Sequence, residues 1–157
     1  MNLVAEKKKN KKAIDLFKLR FEAKSVNESF ARMVVSAFVS RLDPTVSELN
    51  DIKTAVSEAV TNCIVHAYRD MGGKGEILLT GKMFADGRVV IEIKDKGCGI
   101  EDLSTAMLPM YTSDPAGERS GMGFTVMDAF CDSLKVRSAK GKGTKVVLTK
   151  RIGACRL

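Results

Sequence analysis

Apolar and charged residues nearly alternate over 16–22, with Phe17, Leu19 and Phe21 on one side and Lys18, Arg20 and Glu22 on the other. That is the period of a half-buried strand, and the folded domain is expected to begin here. Ser25-Val26-Asn27-Glu28 has the form of a capping box, and Phe30, Val34, Ala37 and Phe38 follow at helical spacing. The pattern predicts a helix to about Arg41, stopped by Asp43-Pro44. Thr45-Val46-Ser47-Glu48 offers a second capping box. Behind it, Leu49, Ile52, Val56, Ala59, Val60, Cys63 and Ala67 form an apolar stripe with a period near 3.6, so a second, longer helix should reach about Tyr68.

Gly72, Gly73 and Gly75 break that helix, and residues 76–84 and 88–94 read as antiparallel strands joined across Asp86-Gly87, a hairpin dipeptide. Residues 101–118 have no clean period and contain Pro109, Pro115 and Gly117, the marks of an irregular surface connection. A helix within 121–131, a strand over 134–138, a turn at 141–143 and a last strand over 144–150 complete the chain. Helices segregated from such a sheet predict an α+β fold, a two-layer α/β sandwich with a mixed, largely antiparallel sheet.

Composition narrows the class. The chain of 157 residues is 45% hydrophobic, enough for one domain with a real core. No apolar run approaches the roughly 20 residues of a membrane span, and no signal-peptide pattern opens the chain, so a cytoplasmic protein is expected. Cys63, Cys98, Cys131 and Cys155 are scattered without a CxxC pair, and His66 is the sole histidine, which argues against zinc and for reduced thiols. The net charge of +7 is concentrated at the start, in Lys7, Lys8, Lys9, Lys11 and Lys12. Residues 1–13 therefore read as a solvated basic extension, 14–152 as one domain and 153–157 as a tail, with no direct nucleic-acid partner expected.

Candidate chemistry begins on the second helix, where Glu58, Asn62 and His66 fall at successive i, i+4 positions and share one face. An amide oxygen such as that of Asn62 can coordinate Mg²⁺ alongside nucleotide phosphates, and Glu58 can take a proton from an attacking hydroxyl. His66 either closes the rim of such a site or caps an exposed turn. The strand 88–94 runs into Asp95-Lys96-Gly97-Cys98-Gly99, a DxGxG signature in which glycine admits a flat ligand and the carboxylate can accept from the exocyclic amine of adenine. Arg119-Ser120-Gly121-Met122-Gly123-Phe124 follows at a predicted helix start, where free N–H groups favour phosphate and Arg119 can neutralise a terminal phosphate. This is neither a Rossmann fingerprint nor a Walker A loop. Thr144 either lends its hydroxyl to a base or is a plain strand residue.

An ExxxN helix, a strand ending in DxGxG, a loop, then GxGF: in this order the boxes resemble the N, G1 and G2 boxes of the GHKL ATPase superfamily, across positions 58–124. The resemblance implies a Bergerat fold that binds Mg-ATP between helices and sheet under a lid. The runs Asn27-Glu28-Ser29-Phe30-Ala31-Arg32, Leu42-Asp43-Pro44-Thr45, Ser57-Glu58-Ala59-Val60-Thr61-Asn62 and Glu118-Arg119-Ser120-Gly121-Met122-Gly123-Phe124 are similar to those of the anti-sigma F factors of endospore-forming bacteria. That similarity implies a dimeric protein that holds a sporulation sigma factor and acts as an ATP-dependent serine kinase on an anti-anti-sigma factor. By the same resemblance Glu58 is the catalytic base, Asn62 the Mg²⁺ ligand, Asp95 the adenine partner, Arg119 a γ-phosphate contact and Arg32 a protein-contact residue. His66, Gly97, Gly99, Gly121, Met122, Gly123, Phe124 and Thr144 then belong to the nucleotide site. The lysine-rich extension is longer than the family leads one to expect.

Two functions fit these residues: a kinase that also sequesters a sigma factor, or a nucleotide-dependent sigma-binding module without relevant catalysis. A pure binder needs neither the base Glu58 nor the phosphate sensor Arg119, which favours the kinase.

Overall fold

A computed structural model describes residues 12–72, 74–109 and 122–153 of the chain. Strand β1 (Asp15–Glu22) is followed by helices α1 (Val26–Ser40) and α2 (Val46–Asn62), strands β2 (Glu76–Met83) and β3 (Arg88–Asp95), short helix α3 (Leu103–Ala106), helix α4 (Gly123–Phe130), and strands β4 (Ser133–Ser138) and β5 (Thr144–Arg151). The strands form one sheet in the order β1-β2-β3-β5-β4. Each pairing is antiparallel, so the mixed sheet that the pattern allowed resolves into an antiparallel one.

The alternation in β1 does what its period requires. Phe21 is buried, and Phe17 and Leu19 are half-buried against the core. The Phe17 ring meets that of Phe38 on α1 edge-on, with centroids 4.9 Å apart. At the middle of the sheet, Ile77 and Leu79 of β2, Ile91 and Ile93 of β3, and Leu148 of β5 lose all contact with water under Ile52, Val56 and Val60 of α2. Helix α2 is the spine of the helical layer, since it packs against α1, α4, β3 and β5. The opposite sheet face carries Lys18, Arg20, Lys94, Lys145, Lys135 and Arg137, with Glu92 bridging Lys82 and Lys145 at 3.0 and 3.2 Å. Much of the domain's positive charge is thereby spread over the solvated side of the sheet. The hairpin turn needs Gly87, whose φ of +81° is left-handed.

The two capping boxes part ways. At α2 the box forms: Thr45 Oγ1 accepts from the Glu48 N–H at 3.1 Å, and the Glu48 carboxylate accepts from the Thr45 N–H at 2.8 Å. At α1 it does not. Ser25 already has helical angles, φ −55° and ψ −36°, and its side chain caps nothing. Glu28 instead accepts from the Ser57 hydroxyl on α2 and lies 3.1 Å from Arg32 Nε, an ion pair by distance without the alignment of a hydrogen bond. A tertiary partner on the neighbouring helix has displaced the local one.

The second helix also departs from a uniform run to Tyr68. After Asn62 it widens into a π-helical turn, Cys63–Ala67, and a 3₁₀ turn, Arg69–Met71, completes the passage to β2. Single π turns of this kind recur at functional sites. Here the change of pitch keeps Cys63, Ala67 and Tyr68 all buried. The Tyr68 hydroxyl donates to the Glu76 carbonyl and accepts from the Lys96 N–H at 2.9 Å, tying the helix end to the start of β2 and the end of β3.

The caps make a differential prediction. Thr45→Ala is expected to lower stability by about 1 kcal/mol in urea denaturation, whereas Ser25→Ala should change it by no more than a few tenths. Equal losses at the two positions would contradict the cap geometry.

Candidate functional site

Helix α2 ends where the sheet's third strand ends, and this coincidence assembles the site. Glu58 and Asn62, one turn apart, face the first residue of α4. A Cβ placed on Gly123 would lie 3.3 Å from Asn62 Nδ2, 3.4 Å from Asn62 Oδ1 and 3.4 Å from Glu58 Oε2. The glycine thus brings the start of α4 within van der Waals reach of both polar groups. Met122 precedes it as the helix N-cap, and Phe124 packs against the core. Gly121 and Arg119, expected in the same box, lie outside the described residues, as does the second half of the 101–118 connection.

Asp95 is the second centre. It is only 2% exposed, and its carboxylate is spanned by protein donors. Oδ1 accepts from the backbone N–H of Gly97 at 2.9 Å and of Thr144 at 3.1 Å. Oδ2 accepts from the Cys63 thiol at 3.4 Å. An ionised carboxylate offers about four lone-pair sites, so these bonds leave acceptor capacity on Oδ2. Burial first, then the charge of Asp95 and the hydrogen bond to it, push the Cys63 thiol well above its ordinary range and keep it a protonated donor. Burial likewise lifts Cys131, to about 11, so neither is a reactive thiolate at neutral pH.

The glycines after Asp95 mark close approaches. A Cβ on Gly97 would sit 2.0 Å from the Ala67 carbonyl oxygen, and one on Gly99 would sit 1.9 Å from that of Ala139. Cys98 knits the same seam: its N–H donates to the Ala67 carbonyl at 2.7 Å, its thiol to the His66 carbonyl at 3.3 Å, and its carbonyl accepts from Gly141 N–H at 2.6 Å. His66 contributes through that carbonyl, and its ring pairs with Arg69 at 2.9 Å. Thr144 meets Asp95 through its backbone N–H, whereas its hydroxyl pairs with Ser138 Oγ at 2.7 Å. On the other flank of Glu58, Arg32 joins Asn50, Lys53, Thr54 and Ser57 around a cavity of about 230 Å³.

The sequence reading missed three members of this arrangement: Cys63 on Asp95, the Tyr68 hydroxyl that pins Lys96, and Ser138, which accepts from the Ile100 N–H at 2.8 Å. Cys63 stood in the apolar stripe and Tyr68 at the helix end, and nothing in their spacing signals a polar contact. Ser138 sits one turn from Thr144 across a predicted hairpin, the one of the three with a legible cue.

Chemically, the arrangement joins a buried carboxylate with residual acceptor capacity, a floor of glycine backbone, and a carboxylate–amide pair beside a helix start. It fits a purine nucleotide: Asp95 to the base amine, the α4 start to phosphate. Among the described residues no cluster of three His, Cys, Asp or Glu stands ready to hold a metal. The amide oxygen of Asn62 could serve a metal whose shell phosphates and waters complete, a mode suited to Mg²⁺.

Residues 21–150 match the family described as "Histidine kinase-like ATPase domain". The chain is 53% identical over 133 residues to the anti-sigma F factor of Clostridium acetobutylicum, covering 85% of this chain and 91% of that one. It is also 53% identical over 139 residues to the anti-sigma F factor of Caldanaerobacter subterraneus subsp. tengcongensis, covering 88% and 95%. Among solved structures, the RsbU and RsbW domains of a Mycobacterium tuberculosis protein superpose with a TM-score of 0.64 at 20% identity, over 88% of this chain and 32% of that one, which speaks to the fold.

The close approach of Gly97 to the Ala67 carbonyl is backbone against backbone and has little room to relax. Gly97→Ala is expected to cost about 1–3 kcal/mol in urea denaturation and to abolish nucleotide binding. Gly141→Ala, where a Cβ meets nothing within 4 Å, should show only the roughly 1–2 kcal/mol of a left-handed backbone and keep binding. Nucleotide binding by Gly97→Ala at wild-type affinity would refute the assignment of this seam to the site.

Proposed function

The chain belongs to the anti-sigma F factor family, built on a histidine kinase-like ATPase domain, and from that premise we propose that it holds a sporulation sigma factor and phosphorylates a serine of the opposing anti-anti-sigma factor. The observation that carries the reading is the junction formed by α2: Glu58 and Asn62 meet the start of α4, while the next residue, Cys63, closes on Asp95. One rigid helix thereby fixes a candidate base and a candidate metal ligand relative to a candidate base-recognition carboxylate.

Bound Mg-ATP supplies the phosphoryl group. Asp95 accepts from the exocyclic amine of the base, and the carboxylate is preorganised because the protein already holds Oδ1 with two backbone N–H groups. Gly97 and Gly99 let the base and sugar lie against backbone. Asn62 contributes its amide oxygen to Mg²⁺, and the N–H groups opening α4 at Gly123 face phosphate, with Gly121, Met122 and Phe124 in the same box. Glu58 takes the proton from the serine hydroxyl as the seryl oxygen bonds to the γ-phosphorus. The bond to the β-phosphate oxygen breaks, and its electron pair leaves with ADP. Arg119 neutralises the γ-phosphate, His66 and Thr144 complete the rim, and Arg32 on α1, lining the cavity next to Glu58, touches the protein partner.

A homodimer in the cytoplasm is the assembly that this reading takes. No helix among the described residues is long and apolar enough to cross a membrane. Sigma factor and anti-anti-sigma factor share the α1–α2 surface around Glu58, so nucleotide state and partner choice are coupled there.

The test is incubation with Mg-ATP labelled at the γ-phosphate and the cognate anti-anti-sigma protein. Label on serine is expected, and nucleotide binding without label would leave a sigma-binding module only. Glu58→Gln should keep ATP affinity and lower transfer by about 10²-fold or more. Transfer at the wild-type rate would remove Glu58 from the mechanism.

A further inference from the structure

The Cys63 thiol occupies a position that neither the motif nor the chemistry of transfer requires. It is 4% exposed, at the first residue of the π turn, and it donates to Oδ2 of Asp95 at 3.4 Å. The other carboxylate oxygen is saturated, since two backbone N–H groups occupy the two lone-pair sites of Oδ1. Three of about four acceptor sites are therefore taken by the protein, and the thiol decides which one on Oδ2 stays open.

We propose that Cys63 is a specificity-determining positioning residue of the nucleotide site: by filling one acceptor site of Asp95 Oδ2 it leaves a single site for an exocyclic amine, and so enforces selection of a 6-amino over a 6-oxo purine. The inference rests on the assignment of Asp95 to the nucleotide base. Its physical basis is satisfiability. A carboxylate with two open sites on Oδ2 can hold a water at one beside the position an amine uses at the other, and such a water can donate onward to a 6-oxo group. With the thiol on the other site, that water has to take the one position the amine uses, and the base has to withdraw to make room for it. A 6-oxo purine then sets its own acceptor against the carboxylate and leaves buried polar groups unpaired, the form of discrimination that is steepest in enzymes. Helix α2 places the thiol there: Cys63 continues it with helical angles, its N–H bonded to the Ala59 and Val60 carbonyls, and with Ala67 it lies inward against the Asp95–Gly97 corner.

The test compares ATP with inosine triphosphate, which differs in carrying oxygen for the amine, by calorimetric titration of the full chain with Mg²⁺ present. Wild type should bind ATP and discriminate against inosine triphosphate. Cys63→Ala should lower the ratio of the two affinities roughly three- to tenfold, a modest factor because a thiol is a weak donor. Cys63→Ser, which returns a donor at the same site, should restore the ratio to within about twofold. In the kinase assay the ratio of the KM for inosine triphosphate to that for ATP should fall for Cys63→Ala by about the same three- to tenfold factor. A Cys63→Ala protein that folds and keeps the wild-type ratio would overturn the inference while leaving the nucleotide site standing. Equal losses for both nucleotides, not rescued by serine, would also overturn it, by showing a packing role alone. Wild-type protein that binds neither nucleotide would overturn the site assignment itself and the inference with it.

Discussion

Asp95 is a carboxylate removed almost wholly from water, and a group of that kind persists in a fold only where the protein supplies its hydrogen-bond partners. Those partners come from three separate places: the turn after β3 through Gly97, the start of β5 through Thr144, and the end of α2 through Cys63. The carboxylate therefore fixes the relation between the helical layer and the sheet at one corner. The neighbouring residues follow the same constraint. Tyr68 ties the end of the helical passage to Lys96, and a side chain on Gly143 would drive its Cβ to 2.2 Å from the Asp95 carbonyl oxygen, so the turn before β5 has to be glycine with its φ of +77°.

Around that corner, α2 links structure to chemistry. Its inner face buries Ile52, Val56, Ala59 and Val60 against the sheet, which gives the helix one orientation and one depth. Its polar ridge is thereby fixed as well, and from it Glu58 and Asn62 reach the start of α4. A site built on a packed helix is held more exactly than one built on loops alone. Helix α1 adds to the same ridge from the side, because Glu28 gives up its local cap to bind Ser57, the residue before Glu58, and to hold Arg32 beside the cavity.

The elements with strong periodicity were legible from the residues: the alternation of β1, the stripe of α2, and the hairpin across Gly87 are read from positions two or three to four apart, and local sterics impose them. Thr45 capped α2 as its spacing indicates, because both partners of that cap lie within the helix start. Ser25 did not cap α1, because Glu28 found Ser57 on another helix, and a competing tertiary contact leaves no trace in local spacing. The π turn was illegible for a related reason. Its cause lies in the need to bury Cys63, Ala67 and Tyr68 together, a demand set by β3 and β2 and not by the stretch 63–67 itself.

The candidate site divides along the same line. Sequence by itself determined which residues are available, namely Glu58 and Asn62 one turn apart, a carboxylate at a strand end, and glycines after it, because spacing along a helix or strand is a property of the chain. Only the tertiary structure decided what each one touches: Gly123 against the Glu58–Asn62 pair, Thr144 on Asp95 through its backbone and not its hydroxyl, and an apparent core cysteine bonded to the buried carboxylate. Contacts between residues tens of positions apart depend on how the layers pack, and packing is settled by the whole core at once.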